Sequence, residues 1–189
     1  MIKAIIFDCF DVLVTNGLPI LKQKYAPNDP GKQGIVRALV QSLNEGKLDY
    51  QTFLLKLAEL LGVSVPEIEL TLDDNRPDEE LFSYIQDKLD PHYKLGILSN
   101  AGDDWLEEMM GSERVKLFDV AILSYAVGYT KPHPEIYKLT ATKLGVEPSE
   151  CVFIDDKERF CDGAKAIGMQ AILYKSFDQF KSELEKLLG

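Results

Sequence analysis

Five short apolar runs recur along the chain, and they constrain its fold more than any other feature of the sequence. Each run is four to six residues long, rich in Ile, Val, Leu and Phe, and bounded by polar or glycine-containing segments. Such runs are typical of strands that are buried on both faces of a sheet. The predicted strands cover residues 2–7, 94–98, 119–123, 151–154 and 169–174.

Helical patterns separate the last four predicted strands. They cover residues 103–111, 134–144 and 157–167, and Gly145 and Gly168 suit the ends of the last two. A terminal helix follows Ser176, where Ser176-Phe177-Asp178-Gln179 has the form of a capping box. Strands that alternate with helices predict an α/β fold, a Rossmann-like parallel sheet with right-handed crossovers.

The segment from about Thr15 to Glu79 breaks this alternation, because no strand pattern occurs within it. We predict a loop at its start that carries Pro19, Pro27 and Pro30. Helices over 33–43 and 50–61 and a shorter one after Pro66 follow, and a polar, hinge-like segment at 73–78 ends the insertion. The sequence therefore predicts an all-helical domain at 15–79, inserted after the first strand, and a discontinuous α/β core at 1–14 and 80–189.

The charge balance argues against several classes of partner. The chain has 21 Lys and Arg against 31 Asp and Glu, a net charge of −10, so it lacks the basic surface that binds nucleic acids or anionic membranes. No apolar run approaches the roughly 20 residues of a membrane span, and the N-terminal run reaches Asp8 too soon for a signal peptide. Three cysteines at no metal-binding spacing indicate reduced thiols. We expect a cytoplasmic protein, monomeric or dimeric, that acts on a small molecule.

Polar side chains follow four of the predicted strands. They are Asp8 and Asp11 after the first strand, Ser99 and Asn100 after the second, Lys131 a few residues beyond the third, and Asp155 and Asp156 after the fourth. Because ligand sites in parallel α/β sheets lie beyond the carboxyl ends of the strands, we expect these groups to converge. The carboxylates suit a hard cation such as Mg²⁺, and the lysine and hydroxyl remain to hold an anion.

Each of these residues also has an ordinary structural explanation when it is taken alone. Asp8 at a strand end suits a turn, and Asp155-Asp156 suits the cap of the following helix. Lys131 alone is typical of a solvated surface lysine. The joint pattern favours a site, because all four groups follow different strands of one predicted sheet.

In this arrangement the sequence resembles the haloacid dehalogenase-like (HAD) superfamily along the whole chain. The first two motifs are apolar strands that end in Asp and in Ser, here Ile6-Phe7-Asp8-Cys9-Phe10-Asp11 and Ile97-Leu98-Ser99-Asn100. The third surrounds the lysine, Gly128-Tyr129-Thr130-Lys131-Pro132, and the fourth is the acidic pair in Phe153-Ile154-Asp155-Asp156. The helical insertion stands where this family places a small helical cap.

The resemblance implies a nucleophile and a metal site. Asp8 would attack the substrate and form a covalent aspartyl intermediate. Mg²⁺ would be the cofactor, held by Asp8, the backbone carbonyl of Phe10 and Asp156. Asp155 would support the metal or a water bound to it.

The resemblance also implies the groups that bind substrate. Ser99 and the Asn100 amide would hydrogen-bond a phosphoryl oxygen. Lys131 would neutralise the pair formed by Asp8 and the phosphoryl group.

Two positions depart from the family pattern. Phosphatases of the family carry a second Asp two residues after the nucleophile as a general acid, and here that residue is Phe10. Asp11 follows, where the family usually has Gly. Either no residue donates a proton to the leaving oxygen, or Asp11 does, and we favour the first interpretation. Phe160 stands where the family often has Asp or Asn.

The sequence therefore predicts a Mg²⁺-dependent phosphohydrolase of a small phosphorylated metabolite. A 2-haloacid dehalogenase is the second interpretation, because that branch has an aromatic residue at the position of Phe10. A catalytically weak binding protein is the third. Trp105 is expected in the core or at the contact between the two domains, and Lys22, Lys24 and Tyr25 are expected at the solvated surface.

Overall fold

The five predicted strands form one parallel sheet in the computed structural model, which describes all 189 residues. The strands are β1 Ala4–Phe7, β2 Lys94–Ser99, β3 Val120–Leu123, β4 Cys151–Asp155 and β5 Gln170–Leu173. Their order across the sheet is β3-β2-β1-β4-β5, so β1 lies at the centre. This confirms the Rossmann-like α/β fold, and it brings the ends of β1, β2 and β4 side by side.

Helices cover both faces of the sheet. Successive residues of β1 point to opposite faces, so they join two different hydrophobic clusters. Ala4 and Ile6 join one hydrophobic cluster with α9 (Pro134–Leu144) and α10 (Glu158–Ala166). Ile5 and Phe7 join the other cluster with α5 (Glu79–Tyr84) and α11 (Phe177–Leu188). A π-helical turn, Ile85–Leu89, continues α5, and a 3₁₀ turn, Pro148–Glu150, precedes β4. The helix α5 and its π-helical continuation were not predicted.

One predicted helix, at 103–111, is wrong in its extent. Two short helices occupy this region instead, α6 (Leu106–Met110) and α7 (Ser112–Val115). Gly111 separates them with φ of 83°, a backbone conformation outside the helical region. One further short helix, α8 (Ser124–Val127), follows β3. None of the helices combines the length and the apolar composition needed to cross a membrane.

Four helices lie between β1 and α5 and bury a hydrophobic cluster of their own. They are α1 Gly17–Tyr25, α2 Pro30–Asn44, α3 Tyr50–Leu61 and α4 Val65–Leu72. The loop predicted at Pro19 is wrong, because α1 begins there with Asn16 as its N-cap; Oδ1 of Asn16 accepts a hydrogen bond from Leu18 N. Proline is tolerated at this point because the first helical N–H groups have no partner within the helix.

The two chain segments that lead into and out of these helices run side by side. Thr15 N donates to the Arg76 carbonyl at 3.0 Å, and Arg76 N donates to Thr15 Oγ1 at 2.9 Å. Gly17 lies against the backbone of Thr71 and Leu72 so closely that a Cβ at residue 17 would overlap it. The start of α1 is therefore fixed to the end of α4.

The end of α2 contacts the core. Ser124 Oγ donates to the Asn44 carbonyl at 2.6 Å. The side chain of Leu43 fills the space that a Cβ at Gly102 would need. These contacts hold the helical insertion over the carboxyl edge of the sheet, where β2 ends.

Candidate active site

Three aspartates meet at the carboxyl ends of β1 and β4. Carboxylate oxygens of Asp8, Asp155 and Asp156 all lie within 4.8 Å of one another. Asp8 is 4% exposed and Asp155 is completely buried. The backbone N–H of Asp8 donates to the Ile154 carbonyl at 2.8 Å, which holds the end of β1 beside β4. The convergence expected from the strand ends is present.

Lys131 lies between two of these carboxylates. Its Nζ is 2.8 Å from Oδ1 of Asp8 and 2.6 Å from Oδ2 of Asp155, and the residue is 3% exposed. Burial alone would lower the pKa of Lys131, but the charges of Asp8 and Asp155 outweigh it and the pKa is raised. Lys131 is therefore a buried ammonium ion rather than a solvated surface lysine.

Asn100 fixes the position of Lys131. The side-chain Nδ2 of Asn100 donates to the Lys131 carbonyl at 3.1 Å, and the Lys131 N–H donates to Asn100 Oδ1 at 2.7 Å. This reciprocal pair ties the end of β2 to the loop before α9. Asn100 was predicted to bind substrate, and the structure shows that its side chain also holds the backbone of Lys131.

Ser99 is a buried hydroxyl without a partner. It is 1% exposed at the end of β2, and its Oγ makes no hydrogen bond. Buried polar atoms in proteins are almost always hydrogen-bonded, so an unpaired hydroxyl next to Asn100 is available to an oxygen of a ligand. Asn100 lines the cavity described below, whereas Ser99 does not.

The two acidic residues after β4 have different surroundings. Both oxygens of Asp155 are occupied, Oδ1 by the Lys157 N–H at 2.8 Å and Oδ2 by Lys131. Burial raises the pKa of Asp155 to about 7, with Lys131 opposing this and Asp8 adding to it. Asp156 is half-buried, burial raises its pKa, and Lys157 Nζ lies 3.2 Å from its Oδ1. Asp156 lines the cavity and Asp155 does not.

The turn after β1 presents Phe10 and Asp11 to the same cavity. Asp11 has φ of 63°, in the left-handed region, and its Oδ2 accepts a hydrogen bond from Asn16 Nδ2 at 2.9 Å. The carbonyl oxygen of Phe10 accepts no backbone hydrogen bond. The carbonyl oxygen of Phe10 is therefore available to a metal ion, and its aromatic ring is available to a ligand in the cavity.

A cavity of about 1190 Å³ lies between this edge of the sheet and the helical insertion. From the core it is lined by Asp8, Phe10, Asp11, Asn100, Trp105, Lys131, Asp156, Arg159 and Phe160. From the insertion it is lined by Asn16, Lys22, Arg37, Tyr50, Phe53 and Asn75, among others. The site therefore draws on both parts of the chain.

Several residues that line the cavity were not predicted from the sequence, or were predicted elsewhere. Lys22 lines the cavity rather than the solvated surface, whereas Lys24 is exposed as expected. Tyr25 was also expected at the solvated surface, but it packs against the hydrophobic cluster of the insertion and its hydroxyl is buried. Arg37 and Tyr50 had no motif that marked them, because their positions depend on how α2 and α3 pack. Trp105 lies where it was expected, in contact with both the core cluster and the cluster of the insertion.

Comparison with known proteins agrees with this geometry. Residues 2–168 match the family model of haloacid dehalogenase-like hydrolases, which is most of the chain. The chain belongs to this family. The resemblance stated from the motifs is thereby confirmed.

Three similar proteins show how far the likeness extends. Bifunctional epoxide hydrolase 2 of Sus scrofa is 43% identical over 72 residues, which are 38% of this chain and only 13% of that protein. D-ribitol-5-phosphate phosphatase of Bacteroides thetaiotaomicron is 29% identical over 167 residues, 80% of this chain and 78% of that one. A HAD family enzyme of the same organism, solved with magnesium and inorganic phosphate, has a TM-score of 0.77 at 23% identity, covering 97% of this chain and 99% of that one. The last likeness shows a shared fold.

Proposed function

We propose that this HAD hydrolase is a Mg²⁺-dependent phosphohydrolase of a small phosphorylated metabolite and works through an aspartyl-phosphate on Asp8. The observation that carries the proposal is the buried pair of Asp8 and Lys131 on a large cavity, together with the unpaired Ser99 hydroxyl at the end of the neighbouring strand β2. A buried carboxylate beside a fixed ammonium ion, with a free donor nearby, suits attack on a tetrahedral oxyanion. The phosphatase name of the Bacteroides thetaiotaomicron relative supports the same activity.

The residues present fit Mg²⁺. Asp8 and Asp156 supply hard carboxylate oxygens on the cavity, and the Phe10 carbonyl is free of backbone hydrogen bonds. Asp155 is a weaker ligand candidate because both its oxygens already accept hydrogen bonds from nitrogen donors. We therefore place Asp155 as the residue that holds Lys131. When bound, Mg²⁺ would screen the repulsion between the carboxylates and the phosphoryl oxygens.

Each side chain of the site has a separate role in the proposed reaction. The Cys9 N–H and Lys131 Nζ both contact Oδ1 of Asp8, so Oδ2 is left to attack phosphorus. Lys131 contacts the Asp8 carboxylate and stabilises the charge that develops on the phosphoryl group. Ser99 donates its unpaired hydroxyl to a phosphoryl oxygen. Asn100 acts by fixing the backbone of Lys131 rather than by touching substrate with its side chain.

We also propose that residues 15–79 form a cap domain that covers the reaction. This rests on the separate hydrophobic cluster of α1–α4 and on the paired connections at Thr15 and Arg76. A cover of this kind excludes bulk water and selects the leaving group through its lining residues.

A 2-haloacid dehalogenase is the second candidate, and the Phe10 ring on the cavity favours it. The charges favour the phosphohydrolase. Asp8 and Asp155 share one buried ammonium ion, and the Asp156 carboxylate, which contacts the partly exposed Lys157, lies within 4.8 Å of both. Such a concentration of carboxylates suits a bound cation, which attack on a haloacid carbon does not need.

The deciding experiment measures phosphate release from 4-nitrophenyl phosphate and halide release from 2-chloropropionate, each with Mg²⁺ and with a chelator. We expect Mg²⁺-dependent phosphate release that Asp8→Asn abolishes while the protein remains folded. Asp87→Asn, an exposed aspartate outside the cavity, is the matched control and should behave as the wild type. Halide release without Mg²⁺ would favour the dehalogenase, and wild-type turnover by Asp8→Asn would exclude the covalent mechanism.

A further inference from the structure

Five aromatic side chains line the cavity, and four of them form what we call the aromatic wall: Phe10, Tyr50, Phe53 and Trp105. The ring centroids of Tyr50 and Trp105 are 5.0 Å apart, and those of Tyr50 and Phe53 are 6.1 Å apart in a stacked arrangement. Tyr50 and Phe53 belong to α3 of the insertion, and Trp105 follows β2 of the core. The wall therefore exists only where the two parts of the chain meet.

The wall leaves aromatic surface available to a ligand. Phe10, Tyr50 and Trp105 are only partly buried, although all three also pack against hydrophobic clusters. Apolar surface that faces a water-filled cavity gains free energy when a ligand covers it. Aromatic ligands gain more than aliphatic ones of equal size at such a place, because ring pairs add an interaction beyond burial.

Phe10 also affects the protonation of the oxygen that leaves in the reaction. A phenyl ring cannot donate a proton to the oxygen that leaves, and Phe10 stands beside the nucleophile. A leaving oxygen that receives no proton must depart as an anion. A phenol, with a pKa of about 10, tolerates this far better than an aliphatic alcohol, which is as weak an acid as water. The aromatic lining of the cavity and the lack of a proton donor therefore both favour a phenol-like leaving group.

We propose that the substrate is an aryl phosphate, a phosphate monoester of a phenol-like alcohol, whose ring lies against the aromatic wall. The proposal rests on the phosphohydrolase function above. In the first step a carboxylate oxygen of Asp8 forms a bond to phosphorus, the bond from phosphorus to the aryl oxygen breaks, and the phenolate leaves with the electron pair and takes a proton from water. Water then hydrolyses the aspartyl-phosphate, which returns the Asp8 carboxylate and releases inorganic phosphate.

Trp105 makes the binding directly observable, because it is the only tryptophan of the chain. The experiment titrates the Mg²⁺-loaded protein with phenylphosphonate and with cyclohexylphosphonate, which share a headgroup and a ring size and cannot be hydrolysed at the phosphorus–carbon bond. We expect phenylphosphonate to change Trp105 fluorescence and to bind about tenfold more tightly, the effect of one or two aromatic pairs. Equal dissociation constants would overturn the proposal.

Variants of α3 test whether the wall is the cause. Tyr50→Ala should bring the two dissociation constants together, and Tyr50→Phe should keep them apart, because the ring rather than the hydroxyl makes the contact. Leu55→Ala is the matched control, since Leu55 lies on the same helix, is 63% exposed and does not line the cavity. A preference that survives Tyr50→Ala would place the ligand elsewhere.

Turnover separates the effect of the missing proton donor from the effect of ring binding. Phenyl phosphate and benzyl phosphate carry the same ring, but only the first releases a phenolate. We expect similar KM values and a much larger kcat for phenyl phosphate, and we expect Tyr50→Ala to raise both KM values. Hydrolysis of benzyl phosphate and of a sugar phosphate with the kcat/KM of phenyl phosphate would overturn the aryl proposal alone. Failure of every phosphonate to bind and of every monoester to react would overturn the phosphohydrolase function itself.

Discussion

Lys131 Nζ lies 2.8 Å from Oδ1 of Asp8, and both side chains are almost completely buried. The same ammonium ion contacts Asp155, so one positive charge serves two buried carboxylates. Removal of that charge would leave both carboxylates without a counter-ion in a region of low dielectric. The stability of the fold and the chemistry of the site therefore depend on the same residue.

Lys131→Ala should lower the free energy of unfolding by about 3 to 5 kcal/mol in the absence of metal, the usual cost of breaking a buried ion pair from one side. Mg²⁺ should then stabilise the variant more than the wild type, because the metal replaces the missing positive charge. Thermal unfolding with and without Mg²⁺ measures both effects. A variant that Mg²⁺ no longer stabilises would show that the lysine does not lie beside the proposed metal site.

Gly17→Ala should destabilise the protein, because the new Cβ would overlap the backbone of Thr71 and Leu72, which cannot move as a side chain does. We expect a loss of about 1 to 3 kcal/mol, the range for an overpacked site. Gly34→Ala is the matched control within α2, where the nearest atom, Nη2 of Arg37, is 3.8 Å from the new Cβ. That change should be neutral or stabilise by roughly 0.5 to 1 kcal/mol. Denaturant titrations that rank the two variants in the opposite order would contradict the tight contact between α1 and α4.

The three cysteines should be unreactive in the folded protein. All are buried, and burial raises the pKa of Cys161 to about 11 and of Cys151 to about 12, while Cys9 is raised further by burial and by Asp8. The thiolate is the reactive form, so a thiol reagent at pH 8 should label none of them until denaturant is added. Rapid labelling of Cys9 in the folded state would show that the turn after β1 opens readily.

The sheet and the convergence at its edge could be predicted because both follow from local sequence. Short apolar runs identify the strands, and the carboxyl ends of parallel strands meet whatever the loops do. Thus Asp8, Ser99, Lys131 and Asp156 lie at one edge, as expected. The prediction of a loop at Pro19 was wrong because Asn16 caps a helix there, and proline is compatible with the first turn of a helix.

The cavity side of the insertion could not be predicted, because it depends on packing between distant segments. Tyr50 and Trp105 lie 55 positions apart and meet only through the packing of α3 against the region after β2. Nothing in the residues around either one marks that contact. The position of Lys22 on the cavity could not be predicted either, because it depends on where α1 begins and on how that helix packs.

Phe10 and Asp11 give the sharpest test of the catalytic hypothesis. General acid catalysis typically contributes about 10²- to 10⁴-fold, so an enzyme without a proton donor should hydrolyse activated aryl phosphates far faster than alkyl phosphates. The double variant Phe10→Asp with Asp11→Gly restores the usual family pattern. It should narrow that difference by accelerating alkyl esters selectively. Glycine adopts the left-handed φ of 63° at residue 11 without strain, so the backbone of the turn can be kept.

Asp11→Gly alone is the control for the double variant, and Asp11→Asn tests the opposite hypothesis. If Asp11 donates the proton itself, Asp11→Asn should slow alkyl esters much more than aryl esters. We expect instead that it affects both ester classes to a similar, small extent, because Oδ2 of Asp11 is held by Asn16 Nδ2 at 2.9 Å. Rates of aryl and alkyl phosphate hydrolysis for the four proteins decide between the two. Equal rates on both classes of ester in the wild type, unchanged by any of the variants, would contradict both hypotheses and indicate another proton donor among the residues of the cavity.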